Sequence, residues 1–169
     1  MTKRLHAFPP LATPSATRLI LGSMPGEASL QAQQYYAHPR NAFWPIMEAL
    51  FGCAATAPYA ARVQALHAAG VAVWDVLQSC MRTGSLDTAI EPASMVANDF
   101  AAFFAAHPQI TRVYFNGSKA ESTFKRMVLP QLPALPLTYL RLPSTSTAHA
   151  ALSYDKKLAA WKLALSQTN

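Results

Sequence analysis

Two neighbouring segments near the N-terminus carry residue types that suit the binding of a flat heteroaromatic ring. The first is Gly-Ser-Met-Pro-Gly at residues 22–26, which follows the apolar run at residues 19–21. A strand that ends in a Gly- and Pro-rich turn places backbone N–H groups at the carboxyl edge of a sheet, where open α/β folds bind ligands. The second segment, residues 35–44, contains two aromatic pairs and the amide of Asn41. Aromatic surface beside an amide that donates and accepts hydrogen bonds fits a ring with polar edges.

Strands and helices that would position these segments are predicted from periodicity. Strands are expected at about residues 17–22, 71–74, 111–115 and 137–142. One helix is expected over residues 43–51, where the apolar residues share one face and Gly52 ends the run, and another over residues 59–69.

Three further helices are predicted from their start signals. Asn98 is expected to cap a helix that carries Phe100, Phe103 and Phe104, and Ser118 with Glu121 forms a capping-box pattern. Ser153 starts a final helix with an apolar stripe formed by Tyr154, Leu158, Trp161 and Leu165.

The alternation of strands and helices predicts an α/β three-layer sandwich. Its four-stranded, mainly parallel sheet would carry helices on both faces. A length of 169 residues fits one domain, expected over residues 17–169 after an extended arm at residues 1–16. Residues 77–94 lack clear periodicity and are predicted to form a long loop.

Three polar loops follow predicted strands and are expected to meet at one edge of the sheet. They are residues 22–26, 116–118 and 143–149. Because the carboxyl ends of parallel strands share an edge, residues far apart in sequence would line one cleft.

The composition favours a polyanionic partner. Only 13% of the residues are charged, yet the formal net charge is +6. This charge suits nucleic acid, although a basic protein without such a partner stays an alternative.

Cys53 and Cys80 form no metal-binding motif, so no metal or other cofactor is expected. Reduced cysteines and the lack of a leader or long apolar run predict a cytoplasmic protein without a membrane contact.

Four blocks of the sequence resemble the uracil-DNA glycosylase superfamily and, within it, the hypoxanthine (deoxyinosine) DNA glycosylases. The blocks span almost the whole chain and comprise residues 22–30, 35–44, 113–118 and 142–149, with a further run at residues 74–76 and 84–87. The resemblance implies the fold of that superfamily and a monomeric, metal-independent enzyme that acts on duplex DNA containing a deaminated base.

The resemblance implies roles for two asparagines that also have simpler interpretations. Asn116 closes a strand, and the matching asparagine of the superfamily binds the flipped base; the alternative is that Asn116 caps the next helix. In hypoxanthine glycosylases the asparagine that matches Asn41 is implicated in catalysis, so Asn41 is expected to position the attacking water. Capping of the helix at Phe43 is the alternative for Asn41, and both roles are compatible.

The first loop departs from other branches of the superfamily. Those branches usually place Asp or Asn in this loop to position the water, whereas this chain has Ser23 and Met24, which puts efficient uracil removal in doubt. Ser23 remains a candidate donor to the base or the water. Gly22, Met24 and Tyr36 are expected to form the base pocket, and Phe43 to stack on the base unless it belongs to the helix core.

The last block is expected to contact DNA phosphates. Hydroxyls and backbone N–H groups suit phosphate oxygens, and this loop offers Pro143, Ser144, Thr145 and Ser146. His149 is expected to contact phosphate or the minor groove, with an ordinary surface histidine as the alternative. Arg40 is a further candidate for phosphate binding.

The sequence therefore predicts a DNA glycosylase that flips out a deaminated base, chiefly hypoxanthine, and hydrolyses its N-glycosidic bond. A uracil- or mismatch-specific glycosylase, a hydrolase of free nucleotides and a non-catalytic lesion binder are the alternatives. Asp75 and Asp87 are the carboxylates near the family blocks, and their spacing alone gives no sign of a paired acid and base.

Overall fold

A computed structural model describes residues 3–167 of the chain. Within these residues the strands are β1 (Arg4–His6), β2 (Arg18–Gly22), β3 (Val71–Asp75), β4 (Leu77–Met81), β5 (Val96–Ala97), β6 (Arg112–Asn116) and β7 (Thr138–Leu142). The helices are α1 (Glu27–Ala32), α2 (Phe43–Phe51), α3 (Tyr59–Ala68), α4 (Phe100–Ala106), α5 (Ser118–Thr123) and α6 (Tyr154–Leu165).

Four strands form a parallel sheet in the order β3-β2-β6-β7. In its centre Leu19 of β2 lies between Ala72 of β3 and Val113 of β6. The central strands β2 and β6 are short apolar runs that are buried on both faces, as expected for a parallel sheet covered by helices. The predicted three-layer α/β fold is confirmed.

The two faces of this sheet carry separate apolar cores, because successive side chains of a strand point in opposite directions. Leu19 and Leu21 pack in a cluster with the phenylalanines of α4 and with Phe124. Ile20 packs on the other face, with Phe43 of α2 and Trp161 of α6. In α6 the predicted apolar stripe is incomplete, since Tyr154 is 43% exposed.

A second, antiparallel sheet with the order β1-β4-β5 was not predicted. The prediction of a loop throughout residues 77–94 is wrong for β4, which pairs with β1 through Leu5 and Cys80. The N-terminal arm also protects the edge of the parallel sheet, because Leu11 and Val73 exchange backbone hydrogen bonds of 2.8 and 2.9 Å. Local periodicity misses such a sheet because its partner strand lies far away in sequence.

Two predicted helix starts are corrected by the structure. Asp99, not Asn98, caps α4 by accepting a hydrogen bond from the Ala102 N–H at 3.1 Å. Asn98 instead donates to the backbone carbonyl of Asp75 at 2.8 Å.

The capping box at Ser118 is also absent. Gly117 occupies the N-cap position of α5 with φ of 97°, and no side chain caps this helix. Glu121 forms ion pairs with Lys125 at 3.5 Å and Arg141 at 3.6 Å. The helix then continues as a π-helical segment, Phe124–Val128.

None of the helices within residues 3–167 is long and apolar enough to cross a membrane.

The cap assignment predicts a specific loss of stability. Asp99→Ala should lower the free energy of unfolding by about 0.5–2 kcal/mol, because the first turn of α4 loses its acceptor. Asp99→Asn is the matched control and should keep most of the stability, since Asn caps helices as well as Asp does. Chemical denaturation measures both. An equal loss in the two variants would show that the charge of Asp99, rather than its capping oxygen, stabilises α4.

Candidate active site

A wide groove runs along the carboxyl edge of the parallel sheet. The loops that follow β2, β6 and β7 all contribute to it, so the predicted convergence of residues 22–26, 116–118 and 143–149 is found. Of the predicted site residues, most line this groove: Gly22, Ser23, Met24, Tyr36, Asn41, Asn116, Pro143, Ser144, Thr145, Ser146 and His149.

Gly22 lines the groove where β2 ends, and two polar groups lie close to it because it has no side chain. A Cβ at this position would lie 2.5 Å from Oδ1 of Asp75 and 2.9 Å from the hydroxyl of Tyr36. Any side chain here would displace one of these groups. Gly22 therefore allows a carboxyl and a phenol to approach the same point from β3 and from the segment before α2.

Tyr36 is held in an uncommon conformation by a stacked neighbour. Its φ is 54°, in the left-handed region that non-glycine residues seldom adopt. Its ring stacks on Phe43 with centroids 4.1 Å apart. The hydroxyl of Tyr36 is buried without a hydrogen-bond partner among the described residues, and burial raises its pKa, an effect that the nearby Asn116 amide opposes.

The expectation that Phe43 stacks on a ligand is corrected. Phe43 is fully buried and does not line the groove. It contacts Trp44 and Trp161 edge-on as part of the core between the sheet and α2. The aromatic ring available to a ligand is that of Tyr36, and Phe43 supports it.

Asn41 stabilises the start of α2 from the position before the N-cap, which is Ala42. Its Oδ1 accepts a hydrogen bond of 2.9 Å from the N–H of Phe43, the first residue of α2. The Nδ2 group is not needed for this contact, so its two hydrogens are available to a ligand or a water in the groove. Capping and ligand contact are thus compatible.

One interpretation of Asn116 was that it caps α5, and the structure shows that it does not. Its side chain makes two hydrogen bonds with Thr145: Nδ2 donates to Oγ1 at 3.0 Å, and Oδ1 accepts from the backbone N–H at 2.9 Å. Each amide atom keeps one further position, a hydrogen on Nδ2 and a lone pair on Oδ1.

Thr145 links three walls of the groove. Besides binding Asn116 of β6, its carbonyl accepts a hydrogen bond from the N–H of Ala42 at 3.0 Å. Its side chain is 1% exposed, so the expectation that the Thr145 hydroxyl contacts a phosphate is corrected. This hydroxyl holds Asn116 instead.

Ser23 lies beside a carboxylate that sequence spacing did not reveal. Its hydroxyl donates to Oδ1 of Asp87 at 2.6 Å, although 64 residues separate the two. The segment after β4 thus places the carboxylate of Asp87 against Ser23 of the first loop. Met24 next to it is 7% exposed and also packs in a small core with Leu77 and Cys80.

Two residues of the chain after β4 hold the first loop in place. Nη2 of the buried Arg82 donates to the carbonyl of Pro25 at 2.6 Å, and its Nε donates to the carbonyl of Gly84 at 2.8 Å. The hydroxyl of Ser85 accepts from the N–H of Glu27 at 2.8 Å.

Asp75 is the groove residue that sequence reasoning undervalued. It is 3% exposed, and its Oδ2 has no hydrogen-bond partner among the described residues. Burial raises the pKa of this carboxyl to about 7, with Asp87 adding to the rise and Arg82 opposing it. Its place at the end of a buried strand was the signal available in the sequence.

The loop after β7 is anchored from below by α6. The indole Nε1 of Trp161 donates to the carbonyl of Pro143 at 2.9 Å, and Nζ of Lys157 donates to the carbonyl of Ser146 at 3.2 Å. Ser144 and Ser146 accept hydrogen bonds from N–H groups two residues later, both at 3.2 Å. These contacts give the loop a defined shape.

Cationic side chains surround the groove. Arg40 is exposed but does not line the groove itself. Lys119 and Arg141 do line it and were missed, although each directly adjoins one of the sequence blocks. Among residues 3–167 no group of three or more His, Cys, Asp or Glu side chains is arranged to hold a metal ion.

Comparisons with known proteins agree with the geometry. The sequence profile of the Uracil DNA glycosylase superfamily matches residues 9–166. A protein of Methanosarcina barkeri named hypoxanthine DNA glycosylase is 35% identical over 116 residues, which cover 68% of this chain and 72% of that protein. A protein of Methanosarcina acetivorans with the same name is 30% identical over 158 residues, 93% and 94% of the two chains.

A solved structure is similar as well. It is a solution NMR structure of a candidate uracil DNA glycosylase from Methanosarcina acetivorans, with a TM-score of 0.77 and 27% identity. The similarity covers 98% of this chain and 100% of the other.

The contact between Thr145 and Asn116 predicts a measurable stability difference. Thr145→Val keeps the side-chain volume but leaves Nδ2 of Asn116 without its acceptor, which should cost about 1–3 kcal/mol of unfolding free energy. Thr145→Ser, which keeps the hydroxyl, should be the less destabilised variant in denaturant titrations. The reverse order would mean that the methyl group of Thr145, not its hydroxyl, stabilises the groove.

Proposed function

The chain belongs to the Uracil DNA glycosylase superfamily, and we propose that it is a DNA glycosylase that removes deaminated bases, chiefly hypoxanthine. The enzyme flips the base out of duplex DNA and hydrolyses the N-glycosidic bond. The observation that carries the proposal is the meeting of Gly22, Tyr36, Asn41 and Asn116 in one groove, in a chain similar to two proteins named hypoxanthine DNA glycosylase.

The flipped base enters the groove at Gly22. The small residues Ser23 and Gly26, which line the same groove, leave the room that a bicyclic purine needs. The ring of Tyr36 offers a stacking surface, and the remaining hydrogen and lone pair of Asn116 pair with the adjacent acceptor and donor on the edge of hypoxanthine. Because Thr145 holds Asn116 at 2.9 and 3.0 Å, this amide is oriented before the base arrives.

The attacking water is positioned by Asn41. Its Oδ1 accepts from the N–H of Phe43 and keeps a second lone pair, and Nδ2 donates to the water oxygen. Ser23, oriented by Asp87, is a second group that holds the water or the base. Positioning of this kind suits a reaction whose transition state resembles an oxocarbenium ion.

The DNA backbone lies along the loop after β7. Ser144 and Ser146, with the backbone N–H groups near Pro143, bind phosphate oxygens, while Arg40 and His149 add contacts at the rim. The formal charge of +6 attracts the duplex from a distance. The protein acts as a monomer in the cytoplasm and without a metal ion.

Substrate choice tests the proposal. In single-turnover assays with duplex oligonucleotides, hypoxanthine should be released at a rate well above that of uracil, since the first loop has no Asp or Asn and its small residues Ser23 and Gly26 leave room for a purine. Comparable rates on the two substrates would contradict the preference. Binding of the lesion duplex without any abasic product would identify a lesion-binding protein instead.

Asn41 can be tested separately from its capping role. Asn41→Ala should be nearly inactive on the deoxyinosine duplex. Asn41→Ser is the matched control for the helix: serine caps the N-terminus of α2 comparably but lacks Nδ2, so it should restore stability and not excision. Recovery of excision in Asn41→Ser would reduce Asn41 to a helix cap.

Binding of duplex DNA should weaken steeply as salt rises. The logarithm of the association constant should fall with the logarithm of salt concentration, with a slope near −0.9 for each phosphate neutralised. Arg40→Gln should reduce the magnitude of this slope by about 1 in fluorescence anisotropy titrations. An unchanged slope in Arg40→Gln would remove Arg40 from the DNA interface.

A further inference from the structure

Asp75 is an ionisable group in the groove, and the proposed function gives it no role. Its carboxyl is 3% exposed and lines the groove, its Oδ2 has no hydrogen-bond partner among the described residues, and its Oδ1 lies 2.5 Å from the Cβ position of Gly22. The carboxyl is therefore located where the flipped base is expected to enter.

The neighbours of Asp75 do not neutralise it. Arg82 is the nearby cation, but its guanidinium donates to the carbonyls of Pro25 and Gly84 and forms no ion pair with Asp75. The other ionisable groups that act on or respond to this carboxyl are Asp87, Tyr35 and Tyr36. Burial of a carboxyl that has no ion pair, and one oxygen of which has no hydrogen-bond donor, favours its protonated form.

We propose that Asp75, in its protonated form, is the general acid that donates a proton to N7 of the leaving hypoxanthine. This role rests on the proposed function. The pKa of about 7 that burial gives to Asp75 suits proton donation near neutral pH.

The step balances as follows. The N9–C1′ bond breaks and its electron pair moves into the purine, while the proton of the Asp75 carboxyl passes to N7, so that neutral hypoxanthine leaves and Asp75 becomes a carboxylate. The water oxygen bonds to C1′ and releases one proton to Asp87, which Ser23 contacts at 2.6 Å. Exchange with solvent then returns the proton to Asp75 and removes the one on Asp87.

This role also explains the preference for a purine. Hypoxanthine has a basic ring nitrogen, N7, outside the edge that Asn116 pairs with, and uracil has no equivalent atom. A proton delivered at N7 lowers the negative charge on the leaving base, which a positioned water alone does not do. The preference for hypoxanthine therefore arises from leaving-group activation as well as from the room that Ser23 and Gly26 leave.

The first test uses Asp75→Asn, which keeps the shape of the side chain and cannot transfer a proton. Single-turnover release of hypoxanthine should fall by about 100-fold or more, while affinity for the deoxyinosine duplex and the melting temperature stay near those of the wild type. The wild-type rate should decrease as pH rises through about 7, because the protonated carboxyl is lost, and Asp75→Asn should lack this decrease. Rates within a few-fold of wild type, or a slower variant with the wild-type pH profile, would overturn the proposal.

The second test needs only the wild-type protein. A duplex with 7-deaza-2′-deoxyinosine presents the same pairing edge but has carbon in place of N7. The wild type should release its base at least about 100-fold more slowly than hypoxanthine, and a comparable rate would overturn the proton transfer to N7. A wild type that releases no hypoxanthine at all would overturn the proposed function itself, which separates the two failures.

Discussion

The buried residue Thr145, through its hydroxyl and its backbone N–H and carbonyl, is the point on which the geometry of the groove depends. It joins the end of β6 through Asn116, the start of α2 through Ala42, and its own loop after β7. Parallel strands bring these loops to one edge, but they do not determine the orientation of an individual side chain. Three hydrogen bonds around a residue that is 1% exposed provide that orientation, because buried polar groups must be paired to be stable.

The part of the groove beside Gly22 carries two features that are unfavourable for folding, as functional sites often do. Tyr36 has a positive φ, and Asp75 is a buried carboxyl without an ion pair. Each of these features costs folding energy, and the stacking of Tyr36 on Phe43 together with the packed sheet offsets the cost. Next to Gly22 the chain thus keeps two polar atoms without hydrogen-bond partners among residues 3–167, the Tyr36 hydroxyl and Oδ2 of Asp75, and a ligand can pair with them there.

Several polar side chains of the groove make a structural hydrogen bond and keep a further hydrogen-bonding position for a ligand. Asn41 stabilises the start of α2 with Oδ1 and leaves Nδ2 for the proposed water, and Asn116 binds Thr145 while each of its amide atoms keeps one position for the proposed base. Ser23 reaches Asp87 across 64 residues of sequence. Small amide and hydroxyl side chains can do this because each has more hydrogen-bonding positions than one structural contact uses.

The sequence alone was sufficient for the parallel sheet, for α2, α3 and α6, and for the groove edge, because buried strands and amphipathic helices leave local periodic patterns. It also identified Asn41, Asn116 and Tyr36, which lie in blocks that resemble a family. Only the tertiary structure revealed the antiparallel sheet, the burial of Phe43, the use of Thr145 as a clamp and the acidic groups Asp75 and Asp87 beside the first loop. Those features depend on contacts between residues far apart in the chain, and the pKa of a carboxyl depends on what surrounds it in space rather than on its neighbours in sequence.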